Sequence, residues 1–101
     1  MANLTTPITS DILVLRALWK LTNNEGRRSF QIFEIRAALG YLIEEEHLPD
    51  PYGTDDAHTR RGFIRDDLGT LQIERFVEPV RHGWRITSAG VRRAIESTPQ
   101  A

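Results

Sequence analysis

His47, His58 and His82 are the histidines of this chain, and they are scattered. Neither a Ser/His/Asp spacing nor an HExxH motif accompanies them. Asp55-Asp56 and Asp66-Asp67 are adjacent pairs. Neighbours on a helix point in different directions, so neither pair makes a convergent acid/base couple. There is no cysteine, hence no thiolate nucleophile, thiolate metal site or disulfide framework. Glu44-Glu45-Glu46 with His47 and Asp50 invites a metal reading, but the set lacks a recognised ligand spacing. The run reads instead as the solvated tail of a helix. No Gly-rich phosphate loop is present. The chain is therefore not expected to be an enzyme or to carry a metal or other cofactor.

Binding chemistry is better represented. Residues 1–57 hold five Lys/Arg and nine Asp/Glu, a balance of −4, and residues 58–101 hold eight Arg and five Asp/Glu, a balance of +3; together these make the net −1. A phosphate-binding face on a near-neutral protein needs only this kind of segregation. Reading a duplex needs cations at its edge and short polar or guanidinium side chains at the front of a helix. His58, Thr59, Arg61 and Gly62 offer that front, with Arg65 in reach of a phosphate. Arg81, His82 and Arg85 offer a second element. Asp55-Asp56 and Asp66-Asp67 oppose this, because they repel a close phosphate.

The elements that must position these groups follow from periodicity. Ile64, Leu68 and Leu71 recur at helical spacing, with Ala57 on the same face. Thr54, Asp55 or Asp56 can cap this helix, and acids suit the positive end of its dipole. Gly62 reads either as close approach to a ligand or as a tolerated weak point. Arg60 sits at the edge of the core face and can pair with an acid. Phe76 to Val80 reads as a strand, Arg81-His82-Gly83 as a turn and Trp84 to Ile86 as a returning strand. Pro79 implies an edge position, since it offers no N–H to a ladder. Arg75 stands where a glycine would ease the turn. Thr87 suits the cap of a last helix with Val91, Ala94 and Ile95.

Earlier in the chain, Thr6-Pro7 or Ser10 opens a first helix with Ile8, Ile12, Leu15, Leu18 and Trp19 as its apolar stripe, Arg16 and Lys20 off-centre, and Gly26 at its end. Phe30 can form a very short strand that packs inward and pairs with the ribbon. A second helix runs from about Gln31 to Tyr41, with Phe33, Ile35, Ala38, Leu39 and Leu42 available to the core. The stretch from Leu48 to Gly53 is a long link, either a binding loop or a packed connection, and Leu48 and Tyr52 point to packing.

The order helix, helix, helix, ribbon, helix resembles a winged helix-turn-helix domain. Arg85-Ile86-Thr87-Ser88-Ala89-Gly90 resembles the junction in many such proteins where the second wing strand runs into Thr-x-x-Gly. Leu71 followed by Phe76-Val77-Glu78 resembles the exit of the recognition helix into the wing, where the family usually has glycine and this chain has Arg75. More narrowly, residues 10–96 look like the winged-helix domains of restriction endonucleases, of the Mrr N-terminal and methyl-directed types. Ser29-Phe30, the loop with Pro49 and Tyr52, and Ile64 to Leu71 carry that likeness. In the methyl-directed type the middle of that helix is commonly Ile-Arg-Gln-Gln-Leu; here Asp66-Asp67 replace the amides.

The fold expected is α+β: a single winged helix-turn-helix domain over 1–101 (core about 8–96), with a three-helix core, a two-stranded wing and a short C-terminal helix. The resemblance implies a DNA-binding protein, most simply a transcription regulator, with the third helix in the major groove of double-stranded DNA and the wing on the backbone. The alternative is a protein-interaction module, with Tyr52, Phe63 and Ile73 as the residues to watch. A homodimer through the first helix and a monomer both stay open. No apolar run reaches membrane-span length, and Met1 to Ser10 lacks a secretory signal's basic and apolar regions, so a cytoplasmic, membrane-free protein is expected.

Overall fold

The computed structural model describes residues 8–98. Its elements run α1 (Ser10–Glu25), α2 (Ile32–Glu46), α3 (Ala57–Ile73), β1 (Val77–Val80), β2 (Gly83–Ile86) and α4 (Ser88–Ser97). The architecture is α+β, four helices and one two-stranded antiparallel sheet among the described residues. None of these helices is long and apolar enough to cross a membrane.

The first helix lies at the centre. Every residue from Ile12 to Leu18 is buried, and α2, α3, α4 and β2 all pack on it. A helix covered on every side must be apolar on every side, and Leu13, Val14 and Ala17 join the stripe seen in the sequence. Arg16 breaks the pattern. It was expected off-centre and is only 3% exposed, ion-paired with Glu46 at the end of α2. Its Nε and Nη1 have no partner among the described residues. The cap of α1 is Thr9 rather than Ser10. The Thr6-Pro7 entry lies outside the described residues. Gly26 closes the helix in the left-handed conformation, its N–H donating to Thr22 O.

The second helix runs five residues beyond the expected Tyr41, to Glu46, so the acidic run is helical. Glu45 pairs with Lys20 and Glu46 with Arg16. His47 follows in a left-handed conformation, its N–H donating to Glu44 O while Leu48 N–H donates to Ile43 O. These bonds satisfy carbonyls that the helix end would otherwise leave open. Ile35, Leu39 and Leu42 are buried, but Phe33, expected in the core, is 53% exposed. The i, i+3, i+4 pattern of α2 is met without it.

The link to α3 is a packed connection. Tyr52 stacks on Phe63 with ring centroids 5.2 Å apart and donates its hydroxyl to Asp67 at 2.5 Å. Arg60 bonds Thr54 O and pairs with Asp50, both at 2.6 Å. Asp56 caps α3, accepting Thr59 N–H at 2.8 Å. Ala57, expected on the apolar face, is exposed, because that face begins to meet the core at Ile64. At the far end, Phe76 N–H donates to Leu71 O and Arg75 N–H to Gln72 O, both at 2.9 Å. Arg75 itself holds φ +66, the conformation a glycine would take without strain.

The hairpin pairs Val77 with Ile86, Glu78 with Arg85, Pro79 with Trp84 and Val80 with Gly83. Phe30, fully buried, joins as a one-residue bridge: its N–H donates to Trp84 O and its carbonyl accepts Trp84 N–H. Both backbone groups of Trp84 therefore point away from Pro79. The missing donor of Pro79 faces outward, and β1 is the edge strand its proline implied. Gly83 belongs to β2 rather than to the turn. A Cβ there would sit 2.2 Å from Phe30 O, so the bridge requires glycine.

Gly90 has the same role at α4. Thr87 caps the helix through Gly90 N–H at 3.0 Å and donates its hydroxyl to Arg75 O at 2.7 Å. A Cβ on Gly90 would lie 2.0 Å from Phe76 O. The Thr-x-x-Gly spacing thus pins α4 to the segment leaving α3.

Candidate nucleic-acid interface

A shallow cleft of about 480 Å³ opens between α3, the start of α2 and the tip of the hairpin. Arg61 and Arg65 line it from α3, spaced i, i+4 on one face of the helix. Arg81, His82 and Trp84 line it from the hairpin, and Gln31 to Phe33 form its third side. Arg61, Arg65, Arg81 and His82 are all exposed. No carboxylate lines the cleft among the described residues, and none of its three arginines is in an ion pair there. Four of the eight candidate residues are thus brought to one surface, from two elements.

The other four stand elsewhere. His58 and Thr59 occupy the exposed first turn of α3 without lining the cleft. The Thr59 hydroxyl donates to the Asp56 carboxylate at 2.7 Å. Those bonds from the Thr59 side chain and backbone hold the Asp56 carboxyl below its ordinary value, so the acid at the helix front is engaged as a cap. Gly62 is half-buried with open space where a Cβ would stand, so nothing among the described residues requires glycine there. Arg85 projects to the opposite side of the ribbon from Trp84 and pairs with Glu78 at 2.9 Å. It lines a second depression, with Arg28 and Arg75.

Two acids that threatened the cleft are placed away from it. Asp66 is exposed but does not line it. Asp67 turns toward the start of α1, where Tyr52 donates to it. Burial raises the Asp67 carboxyl; the Tyr52 and Ser10 hydroxyls oppose this, and Asp11 and Asp66 add to it. Burial and then Asp67 push the Tyr52 phenol upward in turn, so it remains a neutral donor. Of the acidic run at the end of α2, Glu45 and Glu46 are occupied by Lys20 and Arg16 of α1, and Glu44 is exposed.

Sequence reasoning missed Gln31 to Phe33 as one side of the cleft. The signal was the Phe30 bridge itself: pairing Phe30 with the ribbon carries the next residues to the hairpin tip. It also missed the grouping of Arg28 and Arg75, which depends on three separate elements meeting. Arg27, by contrast, is occupied, with Glu34 at 2.5 Å and the Phe30 ring at 4.7 Å. Among the described residues no three histidines, cysteines or carboxylates stand together as a metal site. No family model, curated protein or solved structure matches this chain.

Proposed function

We propose that the chain is a winged-helix DNA-binding protein that acts as a transcription regulator by occupying its site. In this reading α3 is the recognition helix, entering the major groove, and the hairpin is the wing, resting on the backbone. One observation carries it: the cleft between α3 and the hairpin presents Arg61, Arg65 and Arg81 with no carboxylate among them. Exposed guanidiniums without counter-charges suit phosphate, whose condensed cations they displace. The test is a titration of labelled duplex across a salt series. About three phosphate contacts correspond to a log–log slope of about −3. Alanine at Arg61, Arg65 and Arg81 together should abolish binding. Absence of binding at low salt by the unaltered chain removes the reading.

A second reading, a docking domain for another protein, is favoured by one feature. Phe33 and Tyr41 are 53% and 71% exposed at the two ends of an α2 stripe with Ala37 between them. Exposed aromatics grouped in this way mark contact surfaces. Of the residues watched for this role, Ile73 is 84% and Phe63 41% exposed, whereas Tyr52 is half-buried and stacked on Phe63. Under this reading serine at Phe33 and Tyr41, not alanine at the three arginines, disables the chain in its host.

A further inference from the structure

We propose that the side of the hairpin turned away from the cleft is a second duplex-binding surface, so that one chain holds two DNA segments at once. This rests on the reading of the first surface as a DNA site. Arg28 from the α1–α2 link, Arg75 from the turn after α3 and Arg85 from β2 line one open depression of about 490 Å³. Arg28 and Arg75 are exposed, and neither meets a carboxylate among the described residues. Glu78, the acid that lines the depression, is already paired with Arg85. The surplus charge is therefore positive, as in the cleft.

The two surfaces are separate. Trp84 lines one and Arg85, the next residue of β2, lines the other, so the ribbon stands between them. Arg65 lies eight residues, about 12 Å of helix, before Ile73 at the end of α3, and Arg75 follows in the turn beyond it; that span exceeds the roughly 8.5 Å depth of a major groove. The molecule's longest dimension is 47 Å. A duplex with a persistence length of about 500 Å does not fold around a molecule of that size. Guanidiniums spread over three elements around an open depression suit the successive phosphates of a backbone. A single small anion would call for a closed pocket.

The experiment is a two-duplex capture. An immobilised duplex is saturated with the chain and washed, and a second, fluorescent duplex is added. The unaltered chain should retain it. The double variant R28A/R75G should lose about tenfold or more of that retention, while its binding to the first duplex keeps the same salt slope. Glycine at 75 removes the charge without straining the left-handed turn. Should that variant unfold thermally at a lower temperature, R28E, in an exposed link, gives the same readout. Equal retention by these variants overturns the proposal, because a dimer with one surface per chain would bridge without Arg28 or Arg75. First-duplex binding with no capture of the second also overturns it and leaves the function reading intact. Failure to bind the first duplex removes both.

Discussion

Asp56 and Asp67 belong to one helical segment and respond to acid in opposite directions. The Asp67 pKa is raised, by burial first. Over the window from the ordinary Asp value up to its own, the folded chain keeps a proton that the unfolded chain has lost. Stability therefore falls as pH rises through that window, and the cost is complete above the raised value. Asparagine at 67 keeps an oxygen for the Tyr52 hydroxyl and removes the charge. D67N should unfold at higher urea than the unaltered chain at pH 7, and the gap should close as pH falls toward the ordinary Asp value. A D67N chain less stable at pH 7 would contradict this account. Asp56 has a lowered pKa. Its contribution is complete above the ordinary Asp value and is lost as pH falls through the lowered one. In the same series D56A should show a deficit at pH 7 that fades in acid.

Among the elements, those bounded by local chemistry were readable in advance. Asp56 and Thr87 cap α3 and α4 as their positions suggested, and Gly26 ends α1. The Pro79 edge also follows from short-range pattern, and Arg60 meets the acid expected of it, which is Asp50. Apart from the Phe30–ribbon bridge, pairings between distant elements were not readable. Arg16 with Glu46 joins residues thirty apart, and nothing in the period of α1 marks that cation as buried. Breaking such a pair leaves a charge in the interior, so Glu46→Ala should cost about 3 kcal/mol in denaturant unfolding. The candidate site was half legible for the same reason. Arg61 and Arg65 were each named for α3 and share the cleft there, while the side of the ribbon that faces the cleft, and so excludes Arg85 from it, depends on register. The α3–β1–α4 junction carries another consequence. A Cβ on Gly90 would meet the Phe76 carbonyl. Gly90→Ala should therefore cost roughly 1–3 kcal/mol, lowering the midpoint of thermal unfolding by at least several degrees. An unchanged midpoint would mean that α4 can shift away.

For the molecule as a whole, charge is sorted by side rather than by sequence half alone. In the first half Glu45, Glu46, Glu34 and Asp50 pair with Lys20, Arg16, Arg27 and Arg60, and among the described residues the arginines around the ribbon have no ion-pair partner apart from Arg85. A net charge of −1 thus coexists with two positive surfaces. The ribbon between them is short, and β2 is covered on one flank by Phe30 while β1 has no neighbour on its outer flank among the described residues. An uncovered flank of this kind is where a foreign strand can add and start fibre growth. Pro79 withholds the hydrogen-bond donor at the middle of that flank, so copies of the chain can be crowded together without zipping to one another edge to edge.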